Sequence, residues 1–204
     1  MHRVFEPKIM YFGTPVVLVS TLNEDGSPNL APMSSAWWLN QSCMLGLSTR
    51  SKTVENLRRE GECVLNLPSA DMVDTVDKLA LTTGSDPVPE YKKAIGTRFV
   101  KDKFGEAGLT PVASERVKAP RVLECPVQLE AKVVNIHPFQ EGDSQLAGIE
   151  VRVVRVYLDD AILSTELRHH IDPGKWRPLI MSFCEFYGLG ANLHPSRLAQ
   201  AFDG

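Results

Sequence analysis

Two segments in the second half of the chain alternate apolar and polar residues, which is typical of strands with one buried face. In "PVQLEAKVVNI", Val127, Leu129 and Ala131 alternate with polar side chains. "GIEVRVVRVYL", residues 148 to 158, repeats the alternation, and "HPFQEGDSQLA" between them is a loop of hairpin type. We therefore expect two antiparallel strands that present one face to a core and the other to water.

Further short apolar segments accompany this pair. They are "TPVVLVSTL", "LAPMSSAWWL", "CMLGLS", "CVLNLP" and "RPLIMSF". The first is followed by "NEDGSPN", whose Asp25-Gly26 pair is a strong turn signal because glycine adopts positive φ without steric cost. Many short strands with few helices favour a small antiparallel barrel, since closure removes exposed strand edges. The predicted fold class is thus mainly β with peripheral helices.

Two stretches have helical spacing instead. Residues 53 to 60 carry Val54 and Leu57 on one face, and Gly61 stands where a left-handed C-terminal residue is expected. Residues 71 to 83 also space their apolar side chains as a helix does. The sequence therefore predicts two helices among the strands.

The stretch from about residue 85 to 120 is polar and contains four prolines. Such composition predicts an excursion of short helices and loops over the surface. It is too poor in apolar residues to be read as a separate folding unit. Residues 1 to 204 are therefore expected to form a single domain.

The charge balance restricts the classes of partner. The 22 Lys and Arg residues are offset by 25 Asp and Glu, for a net charge of -3. The chain lacks the basic surplus of a dedicated binder of nucleic acids or anionic membranes. It also has neither a signal-like N-terminus nor a run of about 18 apolar residues. We expect a cytoplasmic protein with no nucleic-acid partner and no membrane partner, in which any anion site is local.

The cysteines and histidines give no metal pattern. His169 and His170 are adjacent, so they would project oppositely from a strand, and no acidic or His cluster stands at ligand spacing. The cysteines stand far apart in or beside apolar runs, where buried free thiols of a reducing compartment are expected instead of disulfides. These four are Cys43, Cys63, Cys125 and Cys184. No metal site is predicted.

The stretch "STRSKTVENLRREGE", residues 48 to 62, concentrates hydroxyl and basic side chains between a predicted strand and a predicted helix. Backbone N–H groups at a helix N-terminus lack partners and the helix dipole is positive there, so such a junction binds phosphate readily. Charge and hydroxyl donors would come from Ser48, Arg50, Ser51, Lys52 and Thr53. Alternatively, Ser51 or Thr53 is only an N-cap and the basic residues are solvated. The pattern GxxxxGK[ST] is absent, so nucleotide hydrolysis is not indicated.

A second candidate segment is "NLAPMSS", residues 29 to 35. Small residues, a proline and two serines in an apparent strand leave backbone exposed for close contact with a planar ligand. The alternative is an edge strand with a bulge. Trp37 and Trp38 follow at once and face opposite ways on a strand, so we expect one in the core and the other at a subunit interface or a ligand.

Several strings, taken together, resemble the flavin reductase-like proteins of the FMN-binding split-barrel fold. They are "TPVVLVSTLNEDGSPNLAPMSS", "STRSKTVENL" and "ECVLNLPS", followed by "DKFGEAGLTP", "ECPVQLEAKV" and "RPLIMSFCEFYGLG". No single string is diagnostic, but their order and spacing are fairly specific and cover nearly the whole chain. The resemblance implies an antiparallel split barrel with Greek-key connections. It also implies a homodimer that holds FMN beside the subunit interface.

The resemblance assigns roles to the two candidate segments. In the family, the segment matching Asn29 to Ser35 lines the isoalloxazine ring, largely through main-chain groups. The implied ring contacts here are Ala31, Pro32, Met33, Ser34 and Ser35. The segment matching Ser48 to Asn56 holds the phosphate and ribityl chain. The implied contacts there are Ser48, Thr49, Arg50, Ser51, Lys52, Thr53 and Asn56.

The sequence departs from the family at one informative position. Members that reduce free flavin with a nicotinamide commonly have the sequence Gly-Asp-His in the hairpin before the strand matching "GIEV". In this chain, Ser144 occupies the position of that histidine. The change weakens a pyridine-nucleotide role without removing it, since hydride transfer needs alignment of the two rings more than an acid or base. No catalytic residue is therefore assigned.

The resemblance leaves three functions open. The first is transfer of hydride from NADH or NADPH to bound FMN, and of electrons onward to free flavin, oxygen or a partner protein. The second is a non-catalytic FMN electron carrier or an FMN-dependent sensor that a partner reduces, which Ser144 favours. The third is a different substrate on the same fold, as in the related pyridoxamine-phosphate oxidase-like barrels.

Overall fold

The structure is a computed structural model, and it describes residues 1–139 and 145–197. Its strands are β1 Phe12–Pro15, β2 Val17–Leu22, β3 Pro28–Met33, β4 Ala36–Leu39, β5 Ser42–Ser48, β6 Glu62–Leu67, β7 Thr82–Thr83, β8 Arg98–Phe99, β9 Pro111–Val112, β10 Arg121–Val122, β11 Val127–Pro138, β12 Leu146–Leu158, β13 Ile180–Ser182 and β14 Glu185–Tyr187. Its α-helices are α1 Lys52–Glu60, α2 Val73–Asp77, α3 Glu90–Lys93 and α4 Lys103–Ala107. Short 3-10 helices span Ala70–Met72 and Asp160–Ile162. The expected mainly β class is confirmed.

Seven of the strands form one antiparallel sheet in the order β3-β2-β6-β11-β12-β5-β4. The two alternating segments are its longest strands, β11 and β12, and they pair from Val127 opposite Leu158 to Pro138 opposite Ala147. Register shifts interrupt this pairing at two places, which bends the long strands. The predicted hairpin is thus present, with the residues at its tip outside the described ranges.

The edges of the sheet, β3 and β4, are consecutive in the chain. Only Ser34 and Ser35 separate Met33 from Ala36, yet β3 and β4 are not paired with each other. An edge strand leaves about half of its main-chain N–H and C=O groups without a strand partner. The seam between β3 and β4 therefore exposes backbone at the segment that the sequence singled out for a planar ligand.

Two large hydrophobic clusters pack against opposite faces of the sheet. The inner cluster holds alternate residues of β2, including Val17 and Val19, and α1 adds Val54 and Leu57 to it. The outer cluster holds the residues in between, such as Leu18, together with Leu30, Val76, Leu79, Phe104 and Ala107. The helices thus cover the two faces of the sheet at the end that carries the seam.

The segment 71–83 does not form one helix, contrary to the expectation from its spacing. The helical part ends at Asp77, turns follow, and Thr82 and Thr83 form β7, which pairs in parallel with β8. Val76 and Leu79 do lie buried in the outer cluster. The apolar spacing therefore predicted the burial of Val76 and Leu79 correctly. The helix ends early because the following residues form β7, which pairs with β8.

The segment 177–183, expected to add a strand, forms only the short strand β13. This strand joins β1 and β14 in a separate sheet instead of extending the main one. Trp38 packs against the inner cluster while Trp37 is exposed, as the alternation predicts. Cys184 is exposed, so the expectation of a buried thiol is wrong there, although the other three cysteines are buried.

No helix of the described ranges is long and apolar enough to cross a bilayer.

Candidate functional site

A cavity of about 470 Å³ opens at the seam between β3 and β4. The seam contributes Pro32, Met33, Ser34 and Ser35 to its wall. The rest of the lining combines residues that are distant in sequence, namely Tyr11, Val16, Gly46, Val76, Asp77, Ala80, Met181, Cys184 and Phe186. An apolar cleft with a few polar groups is the usual form of a site for a flat organic ligand.

Ser35 is fixed from two sides. Its carbonyl accepts a hydrogen bond from the Gly46 N–H at 2.7 Å, and its Oγ lies 2.9 Å from the Tyr11 hydroxyl. A Cβ on Gly46 would lie 3.0 Å from the Ser35 Cβ, so glycine permits the close approach of the two strands. The seam segment is therefore held in a defined position at the wall of the cavity.

The hydroxyl and basic cluster begins two residues along β5 from Gly46. Ser48 lies about 7 Å from Gly46 on the same face of the strand, because side chains alternate. The chain then turns through Thr49 and Arg50 into α1. The cavity and the cluster are thus joined by one strand.

The N-terminus of α1 offers unpaired donors. Ser51 is the N-cap, and its Oγ accepts from the Val54 N–H at 3.2 Å. The backbone N–H groups of Lys52 and Thr53 make none of the hydrogen bonds found in the described part of the chain. Free N–H groups at a helix start, where the dipole is positive, form an anion-binding position.

The basic side chains of the cluster point to two sides of α1. Arg50 lies with Arg58 and Arg59 in a recess of about 470 Å³ that also includes Glu24 and Glu55. Lys52 lies on the other side, in a recess of about 360 Å³ that includes Gly84. The Lys52 Nζ is 2.6 Å from the Glu55 Oε1, an exposed i,i+3 pair that is easily exchanged for a stronger anion.

Three of the residues assigned by resemblance lie in the interior instead of at the surface of the site. Asn29, Thr53 and Asn56 are each at most 3% exposed. The Asn29 amide donates to Thr21 Oγ1 and Thr53 Oγ1, and the Asn56 amide donates to Thr21 Oγ1 as well. Their side chains join α1 to β2 and β3, which fixes where the helix begins. The Asn29 Oδ1, however, is buried without a hydrogen-bond partner.

The structure therefore divides the assigned residues into three groups. Pro32, Met33, Ser34 and Ser35 line the cavity, while Ala31 lies half-buried next to them in β3. The anion junction consists of Ser48, Thr49, Arg50, Ser51 and Lys52. The buried support consists of Asn29, Thr53 and Asn56. Ser144 lies outside the described residues.

Sequence reasoning missed a set of basic residues in the excursion. Lys92 donates to Thr83 Oγ1 at 2.9 Å, and burial lowers its pKa. Lys103 is only 3% exposed, and burial, together with the nearby Lys92 charge, lowers its pKa to about 8. Lys103 lies at helical spacing with Phe104 and Ala107, but α4 has only five residues, so the apolar stripe is too short to reveal the burial of Lys103 from the sequence.

Three of the four cysteines are buried thiols. Burial raises the pKa of Cys43 to about 12 and raises that of Cys63 and Cys125 further. These three are inert at neutral pH. The described residues contain no group of three or more His, Cys, Asp or Glu side chains that could hold a metal ion.

Comparison with known proteins agrees with this geometry. Residues 9–186 match the family model described as flavin reductase like domain. The uncharacterized protein YdfE of Bacillus subtilis (strain 168) is 42% identical over 188 residues, which cover 92% of this chain and 89% of that protein. The flavoredoxin of Desulfovibrio vulgaris (Miyazaki F) shares the fold with a TM-score of 0.78 at 24% identity, covering 98% of this chain and all of that one.

A further solved structure is the FMN-binding domain of a flavin reductases-like enzyme from Shewanella baltica OS155. It matches with a TM-score of 0.68 at 18% identity over 90% of each chain. These likenesses confirm the split-barrel fold that the resemblance implied. Since the family model covers most of the chain, the protein belongs to the flavin reductase like domain family.

Proposed function

We propose that the protein binds FMN, accepts hydride from NADH or NADPH on the bound flavin, and passes electrons to free flavin, oxygen or a partner protein. The observation that carries the proposal is the pairing of the seam cavity with the anion junction through β5. FMN needs an apolar slot for its ring and an anion site for its phosphate. The described residues fit both requirements.

The ring end of the proposed site is built from main chain. Main-chain donors and acceptors of the seam would bind the polar edge of the isoalloxazine, while Val16, Val76 and Met181 would cover its faces. Ser35 stays in place because Gly46 and Tyr11 hold it. Bound FMN would supply the chemistry, a ring that accepts a hydride and releases electrons.

The phosphate end is built from α1. The free N–H groups of Lys52 and Thr53 would bind phosphate oxygens, with charge from Arg50 and Lys52. The hydroxyls of Ser48 and Ser51 can donate as well. The Asn29 Oδ1 has no partner in the described chain, but it is buried beside Gly84, so the ribityl chain would not reach it in this arrangement.

Hydride transfer requires no acid or base, so the chain's role is to align two rings and exclude water. Asp77 and Cys184 are among the polar groups that line the cavity. A carrier or sensor that a partner reduces is the second candidate, which Ser144 in place of the family's histidine supports. The name of the structurally similar flavoredoxin agrees with that alternative.

A homodimer is part of the proposal. Large apolar side chains remain exposed on β4, β11 and β12, which belong to the same half of the sheet with β5 between β4 and β12; they are Trp37, Leu39, Val134, Val154 and Val156. Exposed apolar side chains on one part of a sheet support a protein interface there. Sedimentation of wild type and of Trp37→Glu tests the dimer. We expect the wild type to sediment as a dimer and the variant as a monomer. A wild type that sediments as a monomer would contradict the proposal.

Two measurements separate the candidates. The visible absorption spectrum of the purified protein, with the released flavin identified, tests whether FMN is the cofactor. Anaerobic mixing with NADH and with NADPH then tests the donor, because rapid bleaching of the flavin band is expected only if nicotinamide reduces the bound ring. A flavin band that neither nucleotide bleaches would favour the carrier.

A further inference from the structure

Among the described residues that line the seam cavity, Asp77 is the charged one. The other polar groups of the lining are hydroxyls and a thiol, and the Tyr11 and Ser35 hydroxyls already share a hydrogen bond. Within residues 1–139 and 145–197, the Asp77 carboxylate forms neither a hydrogen bond nor an ion pair. The apolar cavity therefore carries one unpaired negative charge.

The position of Asp77 is fixed by the way α2 is held. Before the helix, the Ala70 N–H donates to the Arg177 carbonyl at 2.8 Å. Val76 and Leu79, on either side of Asp77, are each 1% exposed and pack in the outer cluster. The backbone of Asp77 cannot move away from the cavity without exposing these two side chains to water.

Asp77 lies where solvent reaches the cavity. Its side chain is exposed, as are those of Ala80 and Cys184, whereas Val16 and Val76 in the same lining are buried. Asp77, Ala80 and Cys184 therefore form the mouth of the cavity. A compound that comes from solvent to a ring bound at the seam would pass this mouth, and with it the Asp77 charge.

The charged side chains on the elements beside the mouth are mostly acidic. Asp74 is exposed on α2, and Glu185 is exposed on β14 directly after Cys184. Lys78 is the adjacent cation, but it is exposed and does not line the cavity. The charge that an entering compound meets inside the mouth is therefore that of Asp77.

We propose that Asp77 determines which compounds exchange electrons with the flavin, favouring an entering end that is uncharged or cationic and disfavouring carboxylates and sulfonates. This inference rests on the proposed function for the identity of the bound ring. An anionic group beside Asp77 is repelled, whereas an N–H donor can bind the unpaired carboxylate. The nicotinamide of NADH or NADPH meets the condition, since its reduced ring is uncharged and carries an amide.

Cys184 allows the charge at the mouth to be measured without flavin. It lies in the two-residue turn between β13 and β14, where Phe183 and Cys184 both have positive φ, and the Phe183 N–H donates to the Tyr11 carbonyl at 2.9 Å. A cavity of about 470 Å³ is roughly 10 Å across, which is close to the Debye length at 0.1 M salt. The Cys184 thiol is therefore within range of the Asp77 charge.

The first experiment treats flavin-free protein with two methanethiosulfonate reagents, one carrying a trimethylammonium group and one a sulfonate. With both reagents, the thiolate attacks the sulfur, forms a mixed disulfide and releases methanesulfinate, so the reagents differ in charge alone. Wild type is compared with Asp77→Asn and with Asp74→Asn, which removes an exposed carboxylate of the same helix outside the lining. Mass spectrometry follows the labelling of Cys184.

We expect Asp77→Asn to lower the ratio of the cationic to the anionic labelling rate roughly 3- to 10-fold, with a smaller effect at high salt. Asp74→Asn should change the ratio by less than about 2-fold, because the charge that it removes lies outside the cavity. Asp77→Glu keeps the charge and should keep the ratio of the wild type. Using the ratio cancels any change in the reactivity of the thiol itself.

The second experiment measures the same selection in the flavin-loaded protein. The flavin is reduced with a stoichiometric amount of dithionite and mixed anaerobically with a neutral naphthoquinone or with its sulfonate. Two electrons and two protons pass from the reduced flavin to the quinone, which leaves oxidised flavin and the hydroquinone. Asp77→Asn should raise the rate with the sulfonate, relative to the neutral quinone, roughly 3- to 10-fold over wild type.

An unchanged reagent ratio in Asp77→Asn would overturn the inference, whichever flavin the protein binds. Weaker binding of both FMN and riboflavin by Asp77→Asn, with an unchanged ratio, would place Asp77 on the flavin ring and would overturn it as well. A wild type that binds no flavin would remove the proposed function, and with it the role of Asp77 in electron exchange, even where the reagent ratio shifts.

Discussion

The Arg50 guanidinium stacks on the Tyr91 ring at 3.9 Å, and this contact joins the excursion to the turn that begins α1. A stacked arginine keeps its charge and its outward N–H donors while its position is fixed. Binding of an anion at the junction would then cost less ordering of the Arg50 side chain. The contact links the least regular part of the chain to the most specific part of the site.

Replacing Tyr91 tests this preorganisation. Tyr91→Leu should weaken FMN binding about 2- to 5-fold, because a cation–π contact at an exposed site contributes about 0.5–1 kcal/mol. Tyr91→Phe keeps the ring and should retain most of the affinity. Fluorescence titration measures both, with Tyr187→Leu as the exposed control. Equal losses in the Phe and Leu variants would show that the hydroxyl, not the stack, is what matters.

Gly46→Ala tests the ring end. The added methyl group would lie 3.0 Å from the Ser35 Cβ, so β4, β5 or the seam must shift, at a cost of about 1–3 kcal/mol. Because Ser35 lines the cavity at the ring end of the proposed site, Gly46→Ala should weaken the binding of FMN and of riboflavin to the same extent. Gly190→Ala is the control, since nothing lies within 4 Å of its Cβ position. A loss confined to FMN would place Gly46 at the wrong end of the ligand.

Thiol labelling tests which cysteine lies at the cavity. Cys184 is exposed and lines the cavity, whereas burial raises the pKa of Cys43, Cys63 and Cys125. A maleimide should therefore label Cys184 alone in the native protein and all four cysteines after denaturation. FMN should slow labelling of Cys184 because the ring would cover that wall. Mass spectrometry reads the result, and a rate that ignores FMN would contradict the placement of the ring.

The pH dependence of stability tests the burial of Lys103. Its pKa is about 8 in the folded chain and 10.5 in the unfolded chain, so between these values the unfolded state binds more protons and the free energy of unfolding rises with pH. Below about pH 8 Lys103 is protonated in both states, and burial of its charge lowers the free energy of unfolding by the full amount. That amount is at most about 3 kcal/mol.

Lys103→Met removes this cost. In the absence of flavin, the variant should be more stable than wild type at pH 7 and should lack part of the rise between pH 8 and 10.5. Urea unfolding at several pH values measures both curves, and their difference cancels the other groups that titrate in this range. Parallel curves would show that Lys103 is solvated.

The strands of the main sheet and the first helix could be predicted because their signals are local. Alternation marked β11 and β12, and Gly61, with φ of 69°, ends α1 where the pattern placed a left-handed residue. The burial of Thr53 and Asn56 was also readable, since they flank Val54 and Leu57 on the inner face of the helix. Family resemblance assigned these two to the ligand; their buried side chains leave the main-chain N–H of Thr53 as the group that can take part in the proposed site.

The cavity and the burial of Lys103 could not be predicted, because both depend on contacts between distant segments. Tyr11 and Cys184 reach the cavity from the two ends of the matched region, and no local pattern joins them to Ser35. Lys103 lies in a helix of five residues within a polar stretch, so its apolar stripe is too short to stand out. Burial of such a residue is a property of the packed fold and not of its neighbours in sequence.

The most direct test of the central claim is a titration of flavin-free protein with FMN and with riboflavin, followed by flavin fluorescence. We expect saturable quenching by both ligands, with FMN bound roughly 10-fold or more tightly because only FMN would reach the charged groups at α1. Equal affinity for the two flavins would contradict the phosphate site. Absence of quenching by either would contradict the claim that this protein binds flavin at the seam.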